Sequence, residues 1–297
     1  MKQKDSMGKI IRLPNRVTPE NNKSGQSNAR NRTSNAKVIA ITSGKGGVGK
    51  TNIVANIGFA LSQMGKRVLI LDADLGLGNI DVLLGLTPKY NLSHVVMREK
   101  KASEIIIEGP KNLKILPASS GIQELTQLTE EQRNNIFSEL DSALDHIDIL
   151  LIDTAAGISS NVMYFNMTAQ EVLVVVTPEP TSMTDAYALM KVMSLKYSAK
   201  KFRLLVNLAT NSDEAHEIFR QLTMVTNRFL DISIEYLGYV LADENVTKSV
   251  KRQKLLCDIY PNSAGSKCFT KLAEQICKLP PPSIPKGDSN FLWEKFL

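Results

Sequence analysis

Short apolar runs alternate with longer amphipathic stretches from residue 38 to residue 278. The apolar runs cover residues 38–41, 67–71, 113–117, 147–152, 171–176, 202–207 and 234–240. They are rich in Val, Ile and Leu and several do not alternate with polar residues, as in Val172-Leu173-Val174-Val175-Val176. Continuous runs of this kind suit strands covered on both faces of a parallel sheet. Residues 52–64, 130–143, 181–197, 213–229, 245–253 and 263–278 have helical spacing; on the first, Ile53, Ile57, Ala60, Leu61 and Met64 form one stripe. The alternation predicts one doubly wound α/β domain over residues 37–279, with a mostly parallel sheet, helices on both faces and ligands at the carboxyl ends of the strands. No internal repeat is visible.

The two ends break the pattern. Residues 1–36 are rich in Asn, Ser and Lys and nearly lack periodic apolar positions. Residues 1–37 hold nine Lys and Arg against Asp5 and Glu20, a net +7, so a chain of net +6 leaves residues 38–297 at −1. The high positive charge therefore belongs to a flexible tail, or to an arm that touches a polyanion or a partner. The near-neutral remainder argues against direct DNA binding by the domain. At the other end, Pro280-Pro281-Pro282-Ser283-Ile284-Pro285 cannot continue a helix and reads as an extended linker. Beyond it, Leu292, Trp293, Phe296 and Leu297 share one helical face with Phe291 at its edge, opposite Glu294 and Lys295. Two readings fit residues 280–297: a terminus docked on its own domain, or an interfacial membrane anchor. No run reaches the roughly 18 apolar residues of a spanning helix, and the N-terminus has no secretory h-region. Cys257, Cys268 and Cys277 contain no C-x-x-C pair, so thiols are expected in a cytoplasmic setting.

Candidate chemistry centres on Gly44-Lys45-Gly46-Gly47-Val48-Gly49-Lys50-Thr51, between the first predicted strand and the first predicted helix. This is G-x-x-x-x-G-K-[ST] in its required setting of strand, glycine loop and helix. Glycines let backbone N–H groups turn around phosphate oxygens, and the helix N-terminus favours the negative charge. Lys50 is expected on the terminal phosphates and the Thr51 hydroxyl on Mg²⁺. Asp72 and Asp74 are expected just past one strand end, and Asp153 just past another, followed by Gly157. A carboxylate there suits a hard cation, and a glycine permits close backbone approach to the terminal phosphate.

Together these segments resemble the deviant Walker-A ATPases of the MinD/ParA family. Asp72-Ala73-Asp74-Leu75-Gly76-Leu77-Gly78-Asn79-Ile80-Asp81 and Asp153-Thr154-Ala155-Ala156-Gly157-Ile158 are similar to that family's two switch regions. Further similarity over residues 83–88, 179–189 and 225–230 points to its flagellar-number regulator branch, FlhG/FleN. The resemblance implies a P-loop NTPase fold and a nucleotide-sandwich homodimer. It implies ATP bound by Gly44, Lys45, Gly46, Gly47, Val48, Gly49, Lys50, Thr51, Asn52 and Gly157, and Mg²⁺ held near Thr51, Asp72 and Asp153. It implies that Lys45 reaches the partner's phosphates, that Lys50 acts in its own subunit, that Asp74 places the attacking water and that Asn207 bonds adenine. Leu208 stands where the family often has Arg. No N-K-x-D guanine signature is present, which favours ATP over GTP.

The same resemblance implies slow, regulated ATP hydrolysis, and regulation of flagellar number, placement and gene expression through a transcription activator of the FleQ type. It implies cycling between the cytoplasm and the inner face of the membrane, with Phe291, Leu292, Trp293, Phe296 and Leu297 as the lipid-facing set. The D-Q-A-x-x-L activator motif is missing from residues 1–36, so binding to the flagellar GTPase FlhF is expected without its stimulation. Two other readings stay open. One is a relative that positions another cargo, such as the division site or partitioned DNA. The other is an iron–sulfur reductase of the same fold, which the spacing of the three cysteines disfavours.

Overall fold

The computed structural model describes residues 36–118 and 128–281. The expectations for residues 1–36 and 280–297 therefore lie outside the described residues, apart from Ala36, Pro280 and Pro281. The described residues begin with β1 (Lys37–Ser43), α1 (Lys50–Gln63) and β2 (Val68–Ala73), then run through three short helices, α2 (Ile80–Leu84), α3 (Leu92–Val96) and α4 (Ala102–Ile105). Strands β3 (Ile107–Glu108) and β4 (Lys114–Leu116) precede α5 (Glu130–Ala143), β5 (Ile149–Ala156) and α6 (Ser160–Thr168). The rest is β6 (Glu171–Val176), α7 (Pro180–Tyr197), β7 (Lys201–Ala209), α8 (Ser212–Phe229), β8 (Ser233–Leu241), α9 (Glu244–Lys251), α10 (Leu256–Ile259) and α11 (Ala264–Lys278).

Among the described residues there is one eight-stranded sheet in the order β3-β4-β2-β5-β1-β6-β7-β8, parallel except for the β3–β4 edge pair. Each central strand feeds two layers, as the period of two requires. Ile39 and Ile41 of β1 enter the core under α1 and α11, whereas Val38 and Ala40 enter the core on the opposite face with Ile136, Phe137 and Leu140 of α5. A third cluster joins Val172, Val174 and Val176 of β6 to Leu189, Met190 and Met193 of α7 and Leu222 of α8. This is the doubly wound α/β architecture expected from the pattern. Helix α1 is apolar nearly all round, with Ile53 through Leu61 buried, because α11 covers the side that the sheet does not.

Local chemistry explains several boundaries. Helix α5 starts where expected because Thr129 and Gln132 form a reciprocal capping box, with Gln132 N donating to Thr129 Oγ1 at 3.2 Å and Thr129 N to Gln132 Oε1 at 2.9 Å. Helix α7 begins with Pro180, whose missing N–H is harmless in the first turn. At the far end, Lys37 Nζ donates to Leu279 O at 2.6 Å and to Ile276 O at 3.3 Å, placing a cation at the carbonyl end of α11.

Two strands correct the sequence reading. β2 runs on through Asp72 to Ala73, and β5 starts at Ile149 and runs on through Asp153 to Ala156. The acidic residues were expected beyond the strand ends. Asp74 does lie past the end of β2, but Asp72 and Asp153 are paired residues inside the ladder, opposite each other; β5 is held at Asp153 by β1 and β2, and β2 is held at Asp72 by β5 alone.

Candidate functional site

β1 ends at Ser43, and the chain turns over the carboxyl edge of the sheet before entering α1. The turn depends on Gly49, which precedes the helix at φ 89°, a left-handed conformation costly for residues with a Cβ. That geometry opens the first turn of α1, with half-buried Thr51 and Asn52, toward the cradle above the loop. The loop is pinned from several elements. Gly157 N, at the end of β5, donates to Ser43 O at 2.9 Å, and Ser43 Oγ donates to Lys45 O at 2.7 Å. Asn207 Nδ2, from β7, donates to the carbonyl of buried Val48 at 2.7 Å. Gly44 lies so close to the backbone of Asp185 in α7 that no side chain fits between them.

The two lysines of the loop have separate surroundings. Lys50 lies inside the site. Burial lowers its pKa, and the nearby carboxylates of Asp153 and Asp74 oppose that shift. Lys45 points elsewhere: its ammonium pairs with Glu179 and donates to Thr181 Oγ1 at 3.1 Å, at the start of α7. These two partners were not read from the sequence. Glu179 stands 134 positions away in Pro178-Glu179-Pro180, and the only local signal is an acid at a helix start.

The carboxylates form a buried pair with a half-buried companion. Asp72 and Asp153 are each 2% exposed on adjacent strands. Burial pushes the Asp153 carboxyl up to about 6, against the opposing pull of the Lys50 ammonium and a hydrogen bond with Thr51. Burial and the neighbouring Asp153 also hold Asp72 well above the usual carboxylate range, opposed by backbone N–H groups of Ile80 and Asp74. Oδ1 of Asp153 is buried and makes no hydrogen bond. An unpaired buried carboxylate oxygen beside a threonine hydroxyl and a phosphate loop fits a small divalent cation, which takes oxygen ligands. Asp74, half-buried on the loop after β2, accepts from Leu77 N at 3.3 Å.

The structure thus gathers Gly44 through Asn52, Asp72, Asp74, Asp153, Gly157 and Asn207 around the carboxyl ends of β1, β2, β5 and β7. The expected lipid-facing set, Phe291, Leu292, Trp293, Phe296 and Leu297, lies outside the described residues. Asn207 is tied to the phosphate loop, and Leu208 after it adopts φ 59° and is 45% exposed.

This architecture has close counterparts. A family model described as an AAA domain matches residues 36–206. The chain is 42% identical to the antiactivator FleN of Pseudomonas aeruginosa over 261 residues, covering 88% of this chain and 93% of that protein. It is 35% identical to the flagellum site-determining protein YlxH of Helicobacter pylori over 240 residues, covering 80% and 81%. Among solved structures, the septum site-determining protein MinD of Pyrococcus horikoshii, complexed with Mg-ADP, superposes with a TM-score of 0.66 at 25% identity, covering 82% of this chain and 96% of that one. A strand–loop–helix glycine loop with a second lysine, two acidic segments beside it and relatives that match nearly end to end leave one assignment: the chain belongs to the MinD/ParA family of P-loop ATPases, in its FlhG/FleN branch of flagellar regulators.

Proposed function

We propose that this ATPase is a dimerisation switch that hydrolyses ATP slowly and sets flagellar number, placement and gene expression. The observation that carries the proposal is the division of labour between the two loop lysines. Lys50 faces the buried carboxylates of its own subunit, whereas Lys45 is engaged by Glu179 and Thr181 outside that cluster. A half-exposed ion pair of this kind is weak, so it can open when a better anion is offered. The phosphates of a nucleotide held by a second copy supply such an anion.

In this reading the loop amides and Lys50 bind the phosphates, and Lys45 of the second subunit completes the site. Asp74 orients the attacking water. Thr51 and Asp153 would hold a Mg²⁺ ion, which would supply charge neutralisation at the phosphate oxygens. Gly157 lets the second switch approach the terminal phosphate, and Asn207 contributes to the adenine side. Phosphoryl transfer to water needs positioning and charge neutralisation more than covalent chemistry. A site completed only by dimerisation turns over slowly, and loss of the terminal phosphate releases the switches and the dimer.

The flagellar assignment rests on the FleN and YlxH relatives, whose coverage extends along the domain rather than over the phosphate loop alone. The proposed partners are a transcription activator of the FleQ type and the GTPase FlhF, with no direct DNA contact by the domain. A deletion strain is expected to carry many flagella where the parent carries few. A normal flagellar count with misplaced division or lost DNA would instead favour a relative that positions another cargo.

Membrane residence is the remaining part of the proposal. No helix among the described residues is long and apolar enough to cross a membrane. The lipid contact is assigned to Phe291, Leu292, Trp293, Phe296 and Leu297, so that ATP-driven pairing doubles a weak anchor on the inner face of the membrane. Truncation after Pro285 is expected to abolish ATP-dependent co-sedimentation with anionic vesicles. Unchanged co-sedimentation would remove the anchor.

A further inference from the structure

Asp72 spends both carboxylate oxygens on the backbone of the loop that follows it. Oδ1 accepts from Asp74 N at 3.2 Å, while Oδ2 accepts from Asn79 N at 3.0 Å and Ile80 N at 3.2 Å. One buried side chain therefore ties down both ends of the loop over residues 74–79, which carries Asp74. Within that loop Leu75 is buried in the core, 3% exposed. Leu77 is 70% exposed and Asn79 is exposed; Leu77 N donates to Asp74 O and to Asp74 Oδ1, each at 3.3 Å, Asn79 Nδ2 donates to Leu77 O at 2.5 Å, and Asn79 O accepts from Leu83 N at 2.9 Å. Gly78 is packed directly over the carboxylate. A Cβ there would stand 2.9 Å from Asp72 Oδ2 and collide with the Ala118 side chain.

Three backbone N–H donors converge on this one side chain, and a backbone donor that loses its acceptor away from water carries its full desolvation cost. We propose that Asp72 is the positioning residue of the first switch: it holds the loop over residues 74–79 in the shape that presents Asp74 to the attacking water, and it acts through the loop backbone rather than as a metal ligand. The inference deepens the ATPase reading and rests on it for the reaction step. The staple itself is a property of the folded chain.

Two measurements on the full chain test it. In nucleotide-free protein, Asp72→Asn places an amide NH₂ against backbone donors, and exchange at the amides of Asp74, Asn79 and Ile80 is expected to rise about 10- to 100-fold. In steady-state hydrolysis, kcat is expected to fall about 10- to 100-fold, with the ATP KM and the Mg²⁺ concentration for half-maximal rate unchanged. Gly78→Ala leaves every carboxylate in place yet lifts the loop from Asp72, so it is expected to give the same exchange pattern and the same kcat loss. It carries the test alone should Asp72→Asn fail to fold. Unchanged exchange at the three amides in either folded variant would overturn the proposal. So would a kcat for Asp72→Asn that is restored by raising Mg²⁺, because that marks a metal ligand. A wild-type chain inert toward ATP would sink the ATPase reading, while the exchange measurement would still decide whether Asp72 holds the loop.

Discussion

Lys45→Ala is expected to abolish ATP-dependent dimers and to lower kcat by about 10³-fold or more, the scale on which a cation supplied in trans accelerates phosphoryl transfer. Binding of ATP to the isolated subunit should change little. The physical basis is the separation of the two lysines: Lys45 is held by Glu179 and Thr181, and Lys50 is the cation beside Asp153 and Asp74. In the proposed two-subunit site, removing Lys45 takes charge from a partner's phosphates and leaves Lys50 beside Asp153 and Asp74. Light scattering with ATP and Mg²⁺, read beside nucleotide affinity, checks both halves. Dimers that persist in Lys45→Ala would refute the two-subunit site. Lost affinity in the monomer would place Lys45 in its own cradle.

Asp153→Asn is expected to separate stability from activity. In the nucleotide-free protein, burial raises the Asp153 carboxyl from 3.8 to about 6. A group with a raised folded pKa binds its proton more tightly when folded, so its stabilising contribution is complete below about pH 4 and is lost as pH rises through 6. At neutral pH the ionised carboxylate is a net cost of folding that Lys50 and Thr51 only partly offset. The amide removes that charge at nearly the same volume. It should stabilise the nucleotide-free protein by on the order of 1–3 kcal/mol at pH 7–8, or about 3–10 °C in Tm. The gain should grow between pH 4 and 6 and flatten above. The same substitution removes the anionic oxygen proposed to hold Mg²⁺, so hydrolysis should fall by about 10²-fold or more. Thermal melts from pH 4 to 8 check the first half. A variant less stable than wild type at pH 8 would mean that Asp153 is net stabilising in its buried setting.

Much of the fold was legible because its signals are local. Strand β6 matches the apolar run Glu171–Val176, and α5 matches because Thr129 and Gln132 announce its first turn. Helices α2, α3, α4 and α10 were not anticipated, since four or five residues are too few to show a period. Helix α6 was missed for a different reason. Asn161, Val162, Met163, Phe165, Asn166 and Thr168 are all buried, so it presents no polar stripe against which an apolar one stands out. The extension of β2 and β5 through their aspartates was hidden because a carboxylate reads as the end of an apolar run, and only pairing with neighbouring strands keeps that backbone extended.

The sequence by itself determined the phosphate loop, the alternation of strands and helices, the two acidic segments and the family to which they belong. These are properties of spacing along a few residues, where backbone geometry and side-chain chemistry are set by near neighbours. The tertiary structure alone decided what those residues face. Asp72 meets Asp153 through strand register, Asn207 meets Val48 across 159 positions and Lys45 meets Glu179 across 134. No local rule links such pairs, because sheet order and helix packing bring them together. That packing buries Asp153, sets Lys45 outside its own cradle and turns Asp72 toward the loop backbone.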